Sequence, residues 1–133
     1  MLFDRLSAGR LLTIPVTGRS KIYFRHLSCY SAAFALISDV ALAVYGGSLK
    51  RREIVSGRLT DALSWLYLAS TTLKKFHDDG QQPRDEAVMR WATEHAMVKI
   101  YMALHGVLDN LPNHFLSVTL GWIVFGFAGR ARA

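Results

Sequence analysis

SAAFALISDVALAVYGGSLKRREIVSGRLTDALSWLYLASTTLKKFHDDG, Ser31 to Gly80, decides the fold of this chain. Before the pair Gly46-Gly47, apolar residues fall at Phe34, Ile37, Ala41 and Val44. After it they fall at Val55, Leu59, Ala62, Leu66, Ala69, Leu73 and Phe76. Both series alternate steps of three and four, which lays one apolar stripe along a helix. Glycine enters the left-handed conformation without steric cost, so the pair ends the first helix. Ser48 is then expected to cap a second helix, about Leu49 to Asp78. Leu63, Trp65 and Leu68 widen its apolar face, so two neighbours are expected to cover it. Gly80 and the polar run Asp78 to Pro83 make the next turn.

Read backward, the first stripe extends through Tyr30, Leu27 and Tyr23 to a start near Lys21, with Ser20 the expected N-cap. Gly9, Pro15 and Gly18 interrupt any earlier pattern, so residues 1–20 read as an irregular lead-in. Read forward, a third helix is expected from about Asp85 to Asn110. Its broader stripe comprises Val88, Trp91, Ala92, His95, Met97, Ile100, Tyr101, Leu104, Val107 and Leu108. Pro112 stops it, because the residue before a proline disfavours helix. Asn113 is the expected cap of a last apolar helix, Phe115 to Phe127. The fold class is therefore all-α: an antiparallel bundle of three to four long helices over residues 21–128, followed by a basic tail at 129–133.

Hydrophobic residues make up 51% of the 133, and there are only three prolines, which argues against disorder. The net charge is +6, a balance suited to an anionic partner but equally to a plain solvated surface. The single cysteine, Cys29, cannot form an internal disulfide, which fits a reducing compartment. The opening MLFDRLSAGRLL lacks the apolar core of a signal peptide. A cytoplasmic location is expected, with contact at the inner membrane as its extension. Cys29 to Gly47 has almost the length of a bilayer span, but Asp39 lies inside it, at a cost of about 2.5–3.5 kcal/mol at mid-bilayer. It reads as a core helix. Phe115 to Ala128 is uncharged but too short to cross. It reads as a core or subunit contact. The alternative is an interfacial helix, with Trp122, Phe125 and Phe127 as membrane contacts beside Arg130 and Arg132.

Motifs that carry chemistry are sparse. The histidines His26, His77, His95, His105 and His114 form no H-E-x-x-H pair and no metal spacing with Cys29, so no metal site is expected. His95, on the apolar stripe, reads as a satisfied core histidine. Asp78, Asp79, Asp85 and Glu86 sit at a turn and a helix start, where carboxylates favour the N-terminal dipole. Gly46-Gly47 lacks the P-loop pattern. Lys50, Arg51 and Arg52 are the candidate contact for an anion or acidic partner. Three cations in a first helical turn would oppose the macrodipole unless an anion were near. The alternative is a surface salt-bridged to Glu53 and Asp61. The basic residues of the second helix split between its two ends and make no stripe that would read a groove, so nucleic-acid binding is not expected.

The combination of GGSLKRRE, GRLTDALSWLYLAS and LKKFHDDG resembles the C-terminal region of the large bacterial acyl-CoA dehydrogenases of fatty-acid β-oxidation. The flanks PVTGRSKIYFRHLS, RWATEHA and LPNHF are similar to that family as well, so the likeness runs from about Gly9 to Arg130. It implies a FAD-dependent reaction that converts acyl-CoA to trans-2-enoyl-CoA. In that reaction a glutamate takes the α-proton and the flavin N5 takes the β-hydride. It also implies a helical domain, a middle β-domain and a second helical domain in the complete enzyme.

The family's glutamate lies in a segment reading like E-G-A-N, which this sequence does not contain. No catalytic or cofactor-binding residue is therefore assigned, and the expectation is a fragment, truncated reading frame or split partner that binds no FAD alone. A structural or assembly role follows. The apolar faces would meet the dehydrogenase core or a second subunit, with self-association in their absence. A membrane-surface adaptor or a non-catalytic interaction module is the alternative.

Overall fold

The computed structural model describes residue 18, residues 20–112 and residues 121–122. The lead-in before Gly18, the start of the last helix, Phe125, Phe127 and the basic tail lie outside the described residues. Three long helices make up the described part: α1 (Lys21–Tyr45), α2 (Glu53–Asp78) and α3 (Pro83–Asp109). A 3-10 segment, Gly46–Arg51, joins α1 to α2. There are no strands among the described residues.

Ring and hydrogen-bond contacts fix the directions. Phe24, early in α1, meets His77, late in α2, edge-on at 6.5 Å. Tyr23 reaches Glu94 on α3, and Tyr45 reaches Asn110 at the end of α3. Thus α1 runs with α3 and against α2. The α2–α3 hairpin is the most extensive interface, and α1 rests on both.

The α1 bounds match the sequence reading at both ends. Its C-terminal glycine, Gly46, has φ +51° and donates its N–H to the Leu42 carbonyl. Ser20 does not act as a side-chain cap. It takes helical angles, its carbonyl accepts the N–H groups of Tyr23 and Phe24 at 3.1 Å, and its hydroxyl makes no capping bond. The second helix begins at Glu53, not Leu49, because the glycine pair allows a tighter 3-10 turn first. Ser48 is likewise no cap: its Oγ donates back to the Tyr45 carbonyl at 2.6 Å.

The α2–α3 turn is a Schellman motif. The Gly80 N–H bonds the His77 carbonyl at 3.1 Å and the Gln81 N–H bonds the Phe76 carbonyl at 3.0 Å. Gly80 has φ +79°, which glycine adopts freely. Pro83 then opens α3, where its missing N–H costs nothing, with Asp85 and Glu86 on the positive end of the dipole.

The core is one cluster shared by all three helices. Ile37, Leu73, Ile100, Leu104 and Val107 are each at most 1% exposed. Burial of one such side chain stabilises by about 1.5–3 kcal/mol. The α2 stripe is buried as its spacing predicts, except that Leu59 is half-buried. On α1, Leu27, Ile37 and Ala41 are buried; Tyr23, Tyr30 and Phe34 pack half-buried against them, while Val44 is exposed and Tyr45 turns inward. The α3 stripe needs a larger correction. Its N-terminal half faces inward through Met89, Thr93 and Ala96, whereas Val88 and Trp91 are both 67% exposed. Tyr101 is exposed as well.

Small residues explain the choice of face on α3. Thr93, Ala96, Ala103 and Gly106 let α2 approach closely, and a bulky residue at those points would hold it off. At Gly106 a Cβ would sit 2.5 Å from the Arg58 Cδ and Nε, because the Arg58 side chain crosses α3 there. Thr93, fully buried, satisfies its hydroxyl by donating to the Met89 carbonyl at 2.7 Å.

Candidate functional site

Lys50 and Arg51 occupy the last turn of the 3-10 segment, and Arg52 is the residue before α2. Cations there meet the negative end of a short helix, and Glu53 occupies the first turn of α2. The electrostatic penalty expected from the sequence is therefore smaller for Lys50 and Arg51, while Arg52, as the N-cap residue, still stands at the positive end of α2. The salt-bridged alternative fares no better: among the described residues no ion pair joins Lys50, Arg51 or Arg52 to Glu53 or Asp61.

The three cations are also not equivalent. The Arg52 guanidinium lies 4.8 Å from the centre of the Tyr45 ring, a cation–π contact. Tyr45 is buried and its hydroxyl donates to the Asn110 carbonyl. Asn110 in turn donates its side-chain amide to the Gly106 carbonyl at 2.6 Å. Arg52 thus belongs to a clasp that fastens the end of α1 to the end of α3. All three cations, Lys50, Arg51 and Arg52, are exposed, so the clasp lies at the surface.

A second feature was not legible as a site in the sequence. His95 is exposed rather than a core histidine. Its ring stacks on Trp91 (5.4 Å between centroids, 17° between planes) and meets Trp65 edge-on (5.5 Å, 70°). Trp65, from α2, packs half-buried against the core. The three rings therefore form a ladder from the core to the outer face of α3. Val88, Val98 and Met102 extend the same face and are 56–67% exposed. On α2, Leu63 and Leu68 are also exposed; the neighbours expected to cover them cover only the α2 seam.

Beside this face, a shallow depression of about 450 Å³ is lined by Pro83, Glu86, Ala87, Arg90, Trp91 and Glu94. Its polar groups engage one another. Glu94 accepts from the Tyr23 hydroxyl and from Arg90 Nε, both at 3.1 Å. Burial, followed by the Glu94 carboxylate, raises the Tyr23 pKa, and the same carboxylate raises that of Arg90. Such a network is a brace between α1 and α3.

Cys29 is half-buried on α1, and burial pushes its thiol pKa up, which disfavours the reactive thiolate. Among the described residues no three His, Cys, Asp or Glu side chains converge to hold a metal ion. Lys21–Arg51 is the one described helical stretch long and apolar enough to cross a membrane, a property that a core helix can share. Trp122 is helical and 81% exposed.

Compared with known protein families, the chain matches from residue 1 to residue 133 the family described as "Acyl-CoA dehydrogenase, C-terminal, bacterial type". No solved structure matches it.

Proposed function

We propose, from the premise that this chain belongs to the bacterial-type acyl-CoA dehydrogenase C-terminal family, that it is a helical assembly domain of a FAD-dependent dehydrogenase. The enzyme's reaction would be the conversion of acyl-CoA to trans-2-enoyl-CoA in fatty-acid β-oxidation. This domain's contribution is structural: it holds subunits or domains together and leaves the base and the flavin contacts to other residues. The observation that carries the reading is the outer face of α3 with its Trp65–His95–Trp91 ladder. A row of large apolar side chains left in water is a contact surface, whereas scattered exposed apolar residues are ordinary.

The test is binding to a dehydrogenase body of the same family that lacks this region. The chain is expected to co-elute with it and raise its thermal stability. The chain purified alone is expected to show no flavin absorbance band. A yellow preparation with bound FAD, or no effect on any dehydrogenase body, counts against the reading.

A second reading rests on Trp122 and on the apolar length of α1. Both suit contact with the inner membrane from the cytoplasmic side. Co-sedimentation with anionic liposomes should then be salt-sensitive and should weaken on Trp122→Ala. Absence of any liposome binding removes it.

A further inference from the structure

The outer face of α3 has the layout of a helix seam that is complementary to itself. Arg84, Val88, Trp91, His95, Val98, Met102, His105 and Asp109 follow one another at alternating steps of four and three, along nearly the whole helix. The run begins on a cation and ends on an anion. Among the described residues each has an exposed local partner: Arg84 lies 3.7 Å from Asp85, and Asp109 lies 3.1 Å from His105. Pairs of that kind contribute little and re-form easily.

We infer that this face binds a second copy of the chain, with the two α3 helices antiparallel. The assignment rests on the assembly reading above and names its partner and surface. Place the two-fold axis at the midpoint between His95 and Val98. Trp91 of one copy then meets Met102 of the other, His95 meets Val98, and Val88 meets His105. The same register sets Arg84 against Asp109 at both ends. A parallel pairing would instead oppose Arg84 to Arg84 and Asp109 to Asp109, with the two helix dipoles aligned, so the charges select the antiparallel arrangement.

Charge complementarity within a single stripe is what a two-fold contact requires, since one surface must serve as both partners. A stripe shaped for a different protein would have no reason to carry opposite charges at symmetric positions. The ladder adds preorganisation. Trp91 is held by His95, which is held by Trp65 against the core, so the central aromatic loses little freedom on docking. Trp is also the residue type that most often dominates an interface.

Sedimentation equilibrium of the 133-residue chain across the micromolar range tests this directly. The wild-type chain is expected to dimerise. Trp91→Glu and, separately, Met102→Glu should each weaken the dimer roughly 30-fold, the loss of one dominant contact, with helical circular dichroism unchanged. Arg84→Asp should weaken it by a smaller factor, and the exchange of both charges, Arg84→Asp with Asp109→Arg, should restore it. A monomer throughout the range overturns the inference. So does a dimer indifferent to Trp91→Glu and Met102→Glu, or one that the charge exchange does not restore. If the chain stays monomeric but Trp91→Glu abolishes binding to the dehydrogenase body, the face belongs to that body: the inference falls and the assembly reading stands. If the dimer behaves as expected but no dehydrogenase body binds, the assembly reading falls.

Discussion

The inner and outer stripes of α3 lie on opposite faces of the same helix, and the inner one is the less bulky of the two. Inward it presents Met89, Thr93, Ala96, Ile100, Ala103, Leu104 and Val107; outward it presents Val88, Trp91, His95, Val98 and Met102. Both sets carry large apolar side chains, and the inner one adds Ile100, Leu104 and Val107. Shape works with hydrophobicity, because the α2–α3 interface is close and rewards small residues at its crossing points. The inner stripe holds the fold together, and the outer one is spare with respect to folding. A side chain's size therefore says less about where it goes than about what is left to receive it.

The largest way to break this contrast is Leu104→Ala. Leu104 is fully buried in the core, so its truncation should cost about 2–5 kcal/mol in urea unfolding. Val98→Ala, on the outer stripe, should stay within about 0.5 kcal/mol of the parent in the same experiment run at concentrations where the chain is monomeric. Equal losses at the two positions would show that the outer stripe is buried in the folded chain after all.

Next in size is Tyr45→Phe, which keeps the ring under Arg52 and removes only the hydroxyl that serves Asn110. About 0.5–1.5 kcal/mol should be lost, with faster amide exchange at the end of α3 as the local readout. No change in exchange there would mean that the clasp does not restrain α3.

The smallest effect belongs to the exposed end of α2. Lys74 bonds Asp78 at 2.5 Å and Lys75 bonds Asp79 at 2.8 Å. The hydrogen bond from Lys74 holds the Asp78 pKa below the usual carboxylate range, so its contribution is present above the unfolded pKa and is lost as pH falls through the folded one. The hydrogen bond to Asp79 raises the Lys75 pKa, so that contribution is present below the unfolded pKa and is lost as pH rises through the folded one. A shallow optimum between the two limits, flattened by salt, is expected in the thermal midpoint. A profile that salt leaves unchanged would assign the pH dependence to buried groups instead.

Much of this architecture could be read from spacing. The α1 ends were legible because Gly46-Gly47 forces a stop, and the α2 seam was legible because its other faces are largely polar. The start of α2 was not, since Gly-Gly-Ser-Leu permits a 3-10 turn as readily as a first α-turn, and only packing selects between them. On α3 both faces are apolar, so periodicity finds two candidate stripes and cannot rank them. For the same reason spacing alone puts His95 inside. The basic cluster is visible in the composition, but the contact that sets Arg52 apart from Lys50 and Arg51 depends on Tyr45, which the sequence does not connect to it. The family-like motifs, by contrast, were legible as a set, and the match over residues 1–133 agrees with them.

Cys29 gives the molecule an intrinsic clock. As the only thiol in the chain, half-covered and held mostly protonated by its surroundings, it should react slowly with an alkylating reagent while α1 stays seated. Any partner or lipid that draws α1 away from α2 and α3 would speed that reaction, and one that clamps the bundle shut would slow it. The rate of this single alkylation can thus follow the seating of α1 with no engineered probe.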